Sequence, residues 1–356
     1  MPSRTAAVLR FSSLGDVLLA AHVPSFLKRI DPGLRVLFVT KERHAAALER
    51  HPHIDRLYLL RERGSDPGAP VPFGVRGGLG DLIATLRLEG VDTLYDLHGS
   101  LRSGRVLGSF PAARRVCAPK HALRRRLWVY ARWLKPEAVT PLLVTYRGVA
   151  GLPADAPLTA WLREALSAEE RRRAAERVGG EPFLLMGVGA RWRTKRWPLR
   201  HFLALAEAAE RTLGLNSRFA LAPGETDLRE ELLGALPSER HGTIDEIPFR
   251  ALAAVASRAA AVVSNDSAVL HLGPALGVPA VGVFGSTVPQ FGFAMQGPRD
   301  VAVEIPLGCR PCDVHGKDRC PLRHHDCMER LEPDRVLEAL RAALPSPSGR
   351  AAVEAR

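Results

Sequence analysis

The sequence predicts an α/β fold made of two Rossmann-like domains, each built on a parallel sheet. Three observations carry that reading. Apolar runs of strand length alternate with stretches of helical periodicity, once from about residue 5 to 97 and again from about 183 to 285. A polar, glycine-containing loop follows the first strand of each series. A chain of 356 residues also suits about two domains.

In order, residues 5–11 read as the first strand, followed by the loop Ser12-Ser13-Leu14-Gly15-Asp16. Val17, Leu18, Ala21, Phe26, Leu27 and Ile30 recur at helical spacing until Pro32-Gly33 stops the helix. Strand 35–40, helix 42–50 and strand 54–60 come next. Residues 61–78, rich in Gly, Pro and Arg, read as a mobile loop. Helix 79–88 and strand 93–97 follow, the latter delivering Asp96-Leu97-His98-Gly99. From 97 to 136 there is no acidic residue but ten Lys or Arg. Within that stretch Leu123, Leu127, Ala131 and Leu134 share a helical face, flanked by Trp128 and Trp133 and surrounded by Arg124, Arg125, Arg126, Arg132 and Lys135. Such a helix suits an anionic membrane surface or acceptor, or a core contact with a solvated basic rim.

Residues 138–166 hold several Pro and Gly and two strand candidates, near Leu142 and Leu158. The boundary is placed here, giving domains 1–165 and 166–344 and a disordered tail, 345–356. Ser167-Ala168-Glu169-Glu170 has capping-box spacing and opens a helix. Strand 183–188, helix 199–212, strand 217–222, helix 228–236 and helix 248–257 lead to an apolar run, 261–263. That run ends in Ser264-Asn265-Asp266-Ser267. A short helix carrying His271 follows; Gly277 and Pro279 end it before strand 281–284. This is one βαβ unit. Its polar corner either caps a helix or faces a ligand, because ligands of open α/β sheets sit at strand carboxyl ends. Helix 333–344 closes the fold, with Pro333 at its start.

The composition, 46% hydrophobic and 25% charged, is that of a soluble globular protein. No apolar run approaches the roughly 20 residues of a membrane span, and the N-terminus lacks a signal-peptide layout, so the expected location is cytoplasmic. A net charge of +12 favours an anionic partner: nucleic acid, a phosphorylated ligand or an anionic membrane. No helix-turn-helix, RRM or KH signature is present.

Asp16 stands where a carboxylate either complements a helix dipole or serves as a general base. The segment Gly187-Val188-Gly189-Ala190-Arg191-Trp192-Arg193-Thr194-Lys195-Arg196-Trp197-Pro198 offers backbone amides, cationic side chains and a following helix, the makings of an anion cradle. Neither GxxxxGK[ST] nor a GxGxxG with its acidic partner occurs, which weighs against a P-loop and against a dehydrogenase. Cys309, Cys312, Cys320 and Cys327, with His315, His324 and His325 among them, have spacing compatible with a structural zinc, free thiols or a redox disulfide. Cys117 reads as a buried thiol.

FSSLGDVLLAAHVP near the start, GVGARWRTKRWP in mid-chain, SNDSAVLHLGPALGVPAVGVFGST and the tail CRPC…CPLRHHDCM together resemble glycosyltransferase family 9, the ADP-heptose:lipopolysaccharide heptosyltransferases. The resemblance spans about residues 4–344. It implies a GT-B fold, two Rossmann-like domains facing a cleft, with the acceptor on the first and the nucleotide sugar on the second. It implies an inverting transfer of heptose from ADP-heptose to the lipopolysaccharide inner core, without cofactor or catalytic metal. Asp16 matches the base, and Lys195 the cation that steadies the departing ADP. Gly189, Ala190, Arg191, Thr194, Asp266, Ser267 and His271 match donor positions, with Glu225 or Asp227 near the ribose. Ser13, Gly15, His98, Arg102 and Arg105 fall on the acceptor side. The implied partners are a lipid-linked anionic saccharide and the cytoplasmic face of the inner membrane, with no nucleic acid. Two departures stand out: Ala268 replaces the Gly usual after Asn-Asp-Ser, and Arg191-Trp192-Arg193-Thr194 replaces small polar residues before the lysine. The alternatives are a family-9-like transferase with another donor or acceptor, and a non-catalytic basic protein that binds membrane or nucleic acid.

Overall fold

The computed structural model describes residues 4–62, 74–131, 138–236, 238–245 and 247–344. The chain forms two compact units, one from the described residues of 1–120 and 142–166, the other from those of 121–141 and 167–356. The expected tail, 345–356, lies outside the described residues.

The first unit holds a parallel sheet of β1 (Thr5–Leu9), β2 (Arg35–Lys41), β3 (Arg56–Leu60), β4 (Val75–Gly77), β5 (Thr93–Asp96) and β6 (Arg114–Cys117), in the order β4-β3-β2-β1-β5-β6. Ala7 of β1 pairs with Leu37 on one side and Leu94 on the other. All five β1 residues are buried, as a central strand covered on both faces must be. From β1 the chain builds outward to β4, then returns across β1 to lay down β5, so the order reverses between β1 and β5. The helices are α1 (Leu14–Ala20), α2 (His22–Ile30), α3 (Ala45–Leu48), α4 (Leu79–Leu88) and α5 (Leu101–Gly108). After α6 (Ala122–Tyr130), which belongs to the other unit, α7 (Leu142–Ala150) and α8 (Trp161–Ala165) complete this one.

Several expectations are corrected here. The helix read from Val17 to Ile30 starts earlier and is broken at Ala21, so Asp16 sits in the first turn of α1. β4 occupies the end of the expected loop, whose residues 63–73 lie outside the described ones. β6 is an edge strand of mostly exposed polar residues with no apolar signature, and Cys117 at its end is exposed, not buried. The strands expected near Leu142 and Leu158 are not formed. Leu142, Leu143, Tyr146, Arg147 and Ala150 fall at helical spacing and form the buried face of α7, while the stretch around Leu158 runs irregularly into α8.

The second unit repeats the plan. Its strands are β7 (Phe183–Gly187), β8 (Asn216–Ala220), β9 (Gly242–Ile244), β10 (Ala261–Asn265), β11 (Ala280–Val283) and β12 (Val301–Val303), in the order β12-β11-β10-β7-β8-β9. The reversal falls between β7 and β10. α9 (Ala168–Val178) opens with the expected box: Ser167 Oγ accepts from Glu170 N at 3.1 Å, and Glu170 Oε2 from Ser167 N at 2.8 Å. α10 (Leu199–Leu213), α11 (Thr226–Leu233), α12 (Phe249–Ala256), α13 (Leu272–Leu276), α14 (Asp326–Glu329) and α15 (Pro333–Ala343) complete it. Leu184, Met186, Phe202, Phe219, Val263, Val281 and Leu340 form its core.

The described residues of 121–141, a stretch assigned from sequence to the first domain, pack with the second. Arg125 Nε donates to Phe291 O at 2.9 Å, the guanidinium lies 4.3 Å from the Phe293 ring centre, and Val139 N donates to Gln290 O at 2.9 Å. α6 buries Arg125 and Val129. Leu123 and Leu127, expected to form one apolar face, point outward: Leu123 is 72% and Tyr130 78% exposed. Arg132, Trp133, Leu134 and Lys135 lie outside the described residues. Among the described residues no helix is long and apolar enough to cross a membrane.

Candidate active site

Each unit places its chemistry where the strand order reverses, the place at which ligands of open α/β sheets bind. In the first unit that point is flanked by the end of β1 with α1, and by the turn after β5. Asp16 Oδ2 accepts from Ser13 N at 2.9 Å and from Ser13 Oγ at 2.8 Å, so it does cap α1. Its other oxygen lies 2.7 Å from Arg10 Nη2. Arg10 is itself well buried and donates to Leu97 O. Burial pushes the Asp16 carboxyl up, but the Arg10 guanidinium and the Ser13 hydrogen bonds outweigh it and hold it below the usual carboxylate range. Asp16 is therefore ionised at neutral pH.

Across the reversal, Asp96 Oδ1 accepts from His98 N at 2.9 Å and Gly99 N at 2.8 Å, and its Oδ2 from Ser103 Oγ at 2.8 Å. That carboxylate fixes the turn bearing His98, whose ring centre lies 4.8 Å from that of Phe11. Burial, reinforced by Arg10, brings the His98 imidazole down to about 4. Burial beside Arg43 does the same for His44, in the 3₁₀ turn after β2. Both rings are neutral at pH 7. Gly15 is buried in α1, and Arg102 and Arg105 stand exposed on α5.

In the second unit the loops after β7 and β10 converge. Lys195 Nζ lies 2.6 Å from Asp266 Oδ2, which also accepts from Thr287 Oγ at 2.7 Å. Burial raises the Asp266 carboxyl, but Lys195, Thr287 and His271 together lower it further. Asn265 joins the loops: its Oδ1 accepts from Trp197 N at 2.9 Å, and its Nδ2 donates to Val188 O at 2.7 Å. Arg196 Nε donates to Ala190 O at 2.9 Å, and its Nη2 lies 3.5 Å from Glu225 Oε1. Glu225 Oε2 accepts from Ala222 N at 2.8 Å. A Cβ at Gly189 would come within 2.2 Å of the Glu225 carboxylate, so a side chain here would push that carboxylate from its present place. Ser267 Oγ is 3.2 Å from Ser264 Oγ. The helix expected after Asp266 is a 3₁₀ turn, Ala268–His271, running into the five-residue α13, with His271 buried. Ala268 lies in helical backbone, where an alanine is unstrained. Asp227 is exposed in the first turn of α11, and Arg191 is exposed over the Trp192 ring.

Thr194 is buried. Its N and Oγ donate to Lys317 O at 3.0 and 2.8 Å, its Oγ accepts from Lys317 N at 2.8 Å, and its carbonyl lies 3.1 Å from His325 Nε2. Its hydroxyl is thus committed to the Cys-rich segment. Arg310 of that segment donates to Phe284 O at 3.1 Å and Thr287 O at 2.9 Å, and pairs with Glu304 Oε2 at 2.8 Å. Cys312 N donates to Ser286 O at 2.9 Å. The segment therefore ties down both the Lys195 loop and the Thr287 loop.

The zinc expected at Cys309, Cys312, Cys320 and Cys327 is not supported. Among the described residues no group of three or more His, Cys, Asp or Glu is arranged to hold a metal ion. Cys312 Sγ donates to Cys309 O at 3.2 Å, and Cys327 is part of the hydrophobic core, where burial pushes its thiol up to about 12. Sequence reasoning missed Arg10, Thr287 and Arg310. Arg10 is the basic residue directly after a buried strand and beside Asp16, which is a readable signal. Thr287 and Arg310 act through distant loops and leave none.

The family described as glycosyltransferase family 9 (heptosyltransferase) matches residues 79–321. Lipopolysaccharide heptosyltransferase 1 of Pseudomonas aeruginosa is 27% identical, the match covering 96% of this chain and 98% of that protein. Among solved structures, E. coli ADP-heptose lps heptosyltransferase II has a TM-score of 0.68 at 19% identity, covering 95% of this chain and 98% of that one. E. coli heptosyltransferase WaaC with ADP has a TM-score of 0.66 at 16% identity, covering 95% and 99%. These structural likenesses agree with the fold described above, two Rossmann-like sheets of the GT-B class.

Proposed function

This chain belongs to glycosyltransferase family 9, the heptosyltransferases, and carries out heptose transfer in lipopolysaccharide core assembly; from that premise we propose how its residues divide the work. The donor is ADP-heptose, held by the second unit. The observation that carries this is the meeting of Lys195 and Asp266 at the reversal between β7 and β10. The ADP diphosphate takes up Lys195, which then balances charge developing on the leaving group. Glu225 lies beside Gly189 and Arg196, close enough to the same loop to meet the ribose hydroxyls.

The acceptor is an anionic, lipid-linked inner-core saccharide, held by the first unit. Asp16 takes the proton of its attacking hydroxyl as that oxygen bonds to the anomeric carbon. The C–O bond to ADP breaks on the opposite face, so the configuration inverts. Ionised Asp16 and the neutral His98 support this, with Ser13, Gly15, Arg102 and Arg105 as the acceptor-side surface. Chemistry of this kind needs no cofactor.

The protein works at the cytoplasmic face of the inner membrane. Support comes from α6, which shows Leu123, Leu127 and Tyr130 outward between Arg124 and Arg126, an apolar stripe with basic flanks. Sedimentation with anionic vesicles, for wild type and Leu123→Glu, tests this. Equal binding of the two removes α6 as the contact.

The catalytic assignment is tested by ADP release from ADP-heptose with a delipidated inner-core acceptor. Asp16→Asn should lower kcat roughly 100-fold or more with ADP affinity kept. Turnover comparable to wild type sinks the base assignment.

A further inference from the structure

Beside Lys195 the second unit has a cleft of about 310 Å³ whose lining includes Arg193, Arg319, Arg323, His325 and Thr194, the last with its hydroxyl already committed to Lys317; Asp318 is the only carboxylate among the described residues that line it. The neighbouring arginines have partners: Arg196 meets Glu225, Arg200 meets Glu329, Arg310 meets Glu304, and Arg330 meets Asp326. The guanidiniums of Arg193, Arg319 and Arg323 have none among the described residues, and Asp318 pairs with none of them. All three are exposed side chains lining one concavity, so an anion seated there meets cationic groups that are not already paired.

The backbone is shaped for this. Arg323 and His325 adopt φ of 64° and 55°, the left-handed region that non-glycine residues enter at a cost. Local bonds hold them there: Arg323 N donates to Cys320 O at 3.0 Å, and His325 Nε2 reaches Thr194 O at 3.1 Å. Arg193 and Lys195 begin and end a single 3₁₀ turn, so the cleft and the donor lysine share one short piece of chain.

We propose that this cleft is a second anion site, distinct from the donor site, that takes a phosphate group. Guanidinium forks match phosphate oxygens in pairs, and three of them around one concavity exceed what a single carboxylate needs. The phosphate comes either from a phosphorylated saccharide acceptor or from free phosphate in solution. The proposal rests on the donor reading only in taking ADP to occupy the Lys195–Asp266 site.

The test is a titration of the full-length protein with inorganic phosphate, followed by ³¹P NMR at constant ionic strength with ADP saturating. Wild type is compared with the double variant Arg319→Gln, Arg323→Asn; asparagine suits the left-handed backbone at position 323. Wild type should bind phosphate with ADP present, and the double variant roughly tenfold or more weaker, at an unchanged melting temperature. No phosphate binding by wild type, equal binding by the variant, or complete displacement by ADP each overturns the proposal. A second arm separates the sources. If the double variant raises KM for a phosphorylated acceptor and not for its dephosphorylated form, the phosphate belongs to the acceptor; unchanged KM for both, with phosphate binding lost, assigns the site to free phosphate. ADP affinity of Lys195→Met, measured separately, judges the donor reading on its own.

Discussion

Replacing Arg10 by glutamine should move the acid limb of the pH–rate profile upward. Its guanidinium lies 2.7 Å from Asp16, with both side chains mostly out of water. Unit charges about 4 Å apart at an effective dielectric of about 20 interact by roughly 4 kcal/mol, which at about 1.4 kcal/mol per pH unit is an upper bound near three units. Ser13 keeps its two hydrogen bonds to Asp16 in the variant, so a rise of about one to two units is expected. In the native protein the Asp16 carboxyl is depressed, so its stabilising contribution is present above the unfolded value, roughly 3.9, and is lost as pH falls through the folded one. Arg10→Gln removes most of that contribution at neutral pH and should lower the melting temperature there. The assay is ADP release under kcat/KM conditions across the acid range, with the melting temperature followed at each pH. An acid limb that superimposes on that of the wild type refutes the coupling of Arg10 to the base.

Lys195→Met should lower kcat by roughly 100- to 1,000-fold, the scale of one donor to a developing anion. The same change removes the main counter-charge of Asp266, so its carboxyl should titrate higher, visible by carbon-13 NMR of labelled aspartate. Gly189→Ala drives a methyl into the Glu225 carboxylate. ADP affinity should fall roughly tenfold in a titration while the melting temperature changes little, because the clash is at a loop and not in the core. Thr287→Val removes one hydrogen bond to an ionised carboxylate, worth about 1.5–3 kcal/mol. That should lower kcat/KM by roughly 10- to 100-fold in steady-state assays, with Thr287→Ser recovering most of it.

What was readable in the sequence follows burial. β1, β2, β7 and β10 are apolar runs because both faces of a central parallel strand are covered, and each was visible. β4, β9 and β12 are three-residue strands at or near sheet edges, and β6 is RRVC; too few apolar residues were present to show a period. The periodicity of α6 left two readings open, a face for an anionic surface or a core contact with a basic rim; its apolar stripe is outward, and Arg125 goes inward because Phe291 O and the Phe293 ring satisfy its charge. The Cys-rich segment misled through spacing. Its role here is made by backbone groups at Cys312 and Lys317 and by the side chain of Arg310, none of which a cysteine pattern encodes.

The two reversal points share an electrical design that bears on how the sites are used. At one, the carboxylate that we propose as the base is held by Arg10 at 2.7 Å; at the other, the lysine that we propose meets phosphate is held by Asp266 at 2.6 Å. A buried charge without a partner is costly, so each functional group rests against a counter-charge that stands in for its ligand. The partner then sets the working strength. Arg10 keeps Asp16 ionised but lowers its basicity, so in the proposed mechanism acceptor binding has to share or displace that guanidinium for the proton to move. Likewise, a diphosphate has to compete with Asp266 for Lys195, and Thr287 lowers the cost by continuing to hydrogen-bond the carboxylate that is left behind. Thr287 is in turn held by Arg310 through its carbonyl. Arg310→Lys should therefore disturb donor binding while leaving the acid limb set by Asp16 where it was. A change in that limb would mean that Arg310 acts through the fold as a whole and not through Thr287.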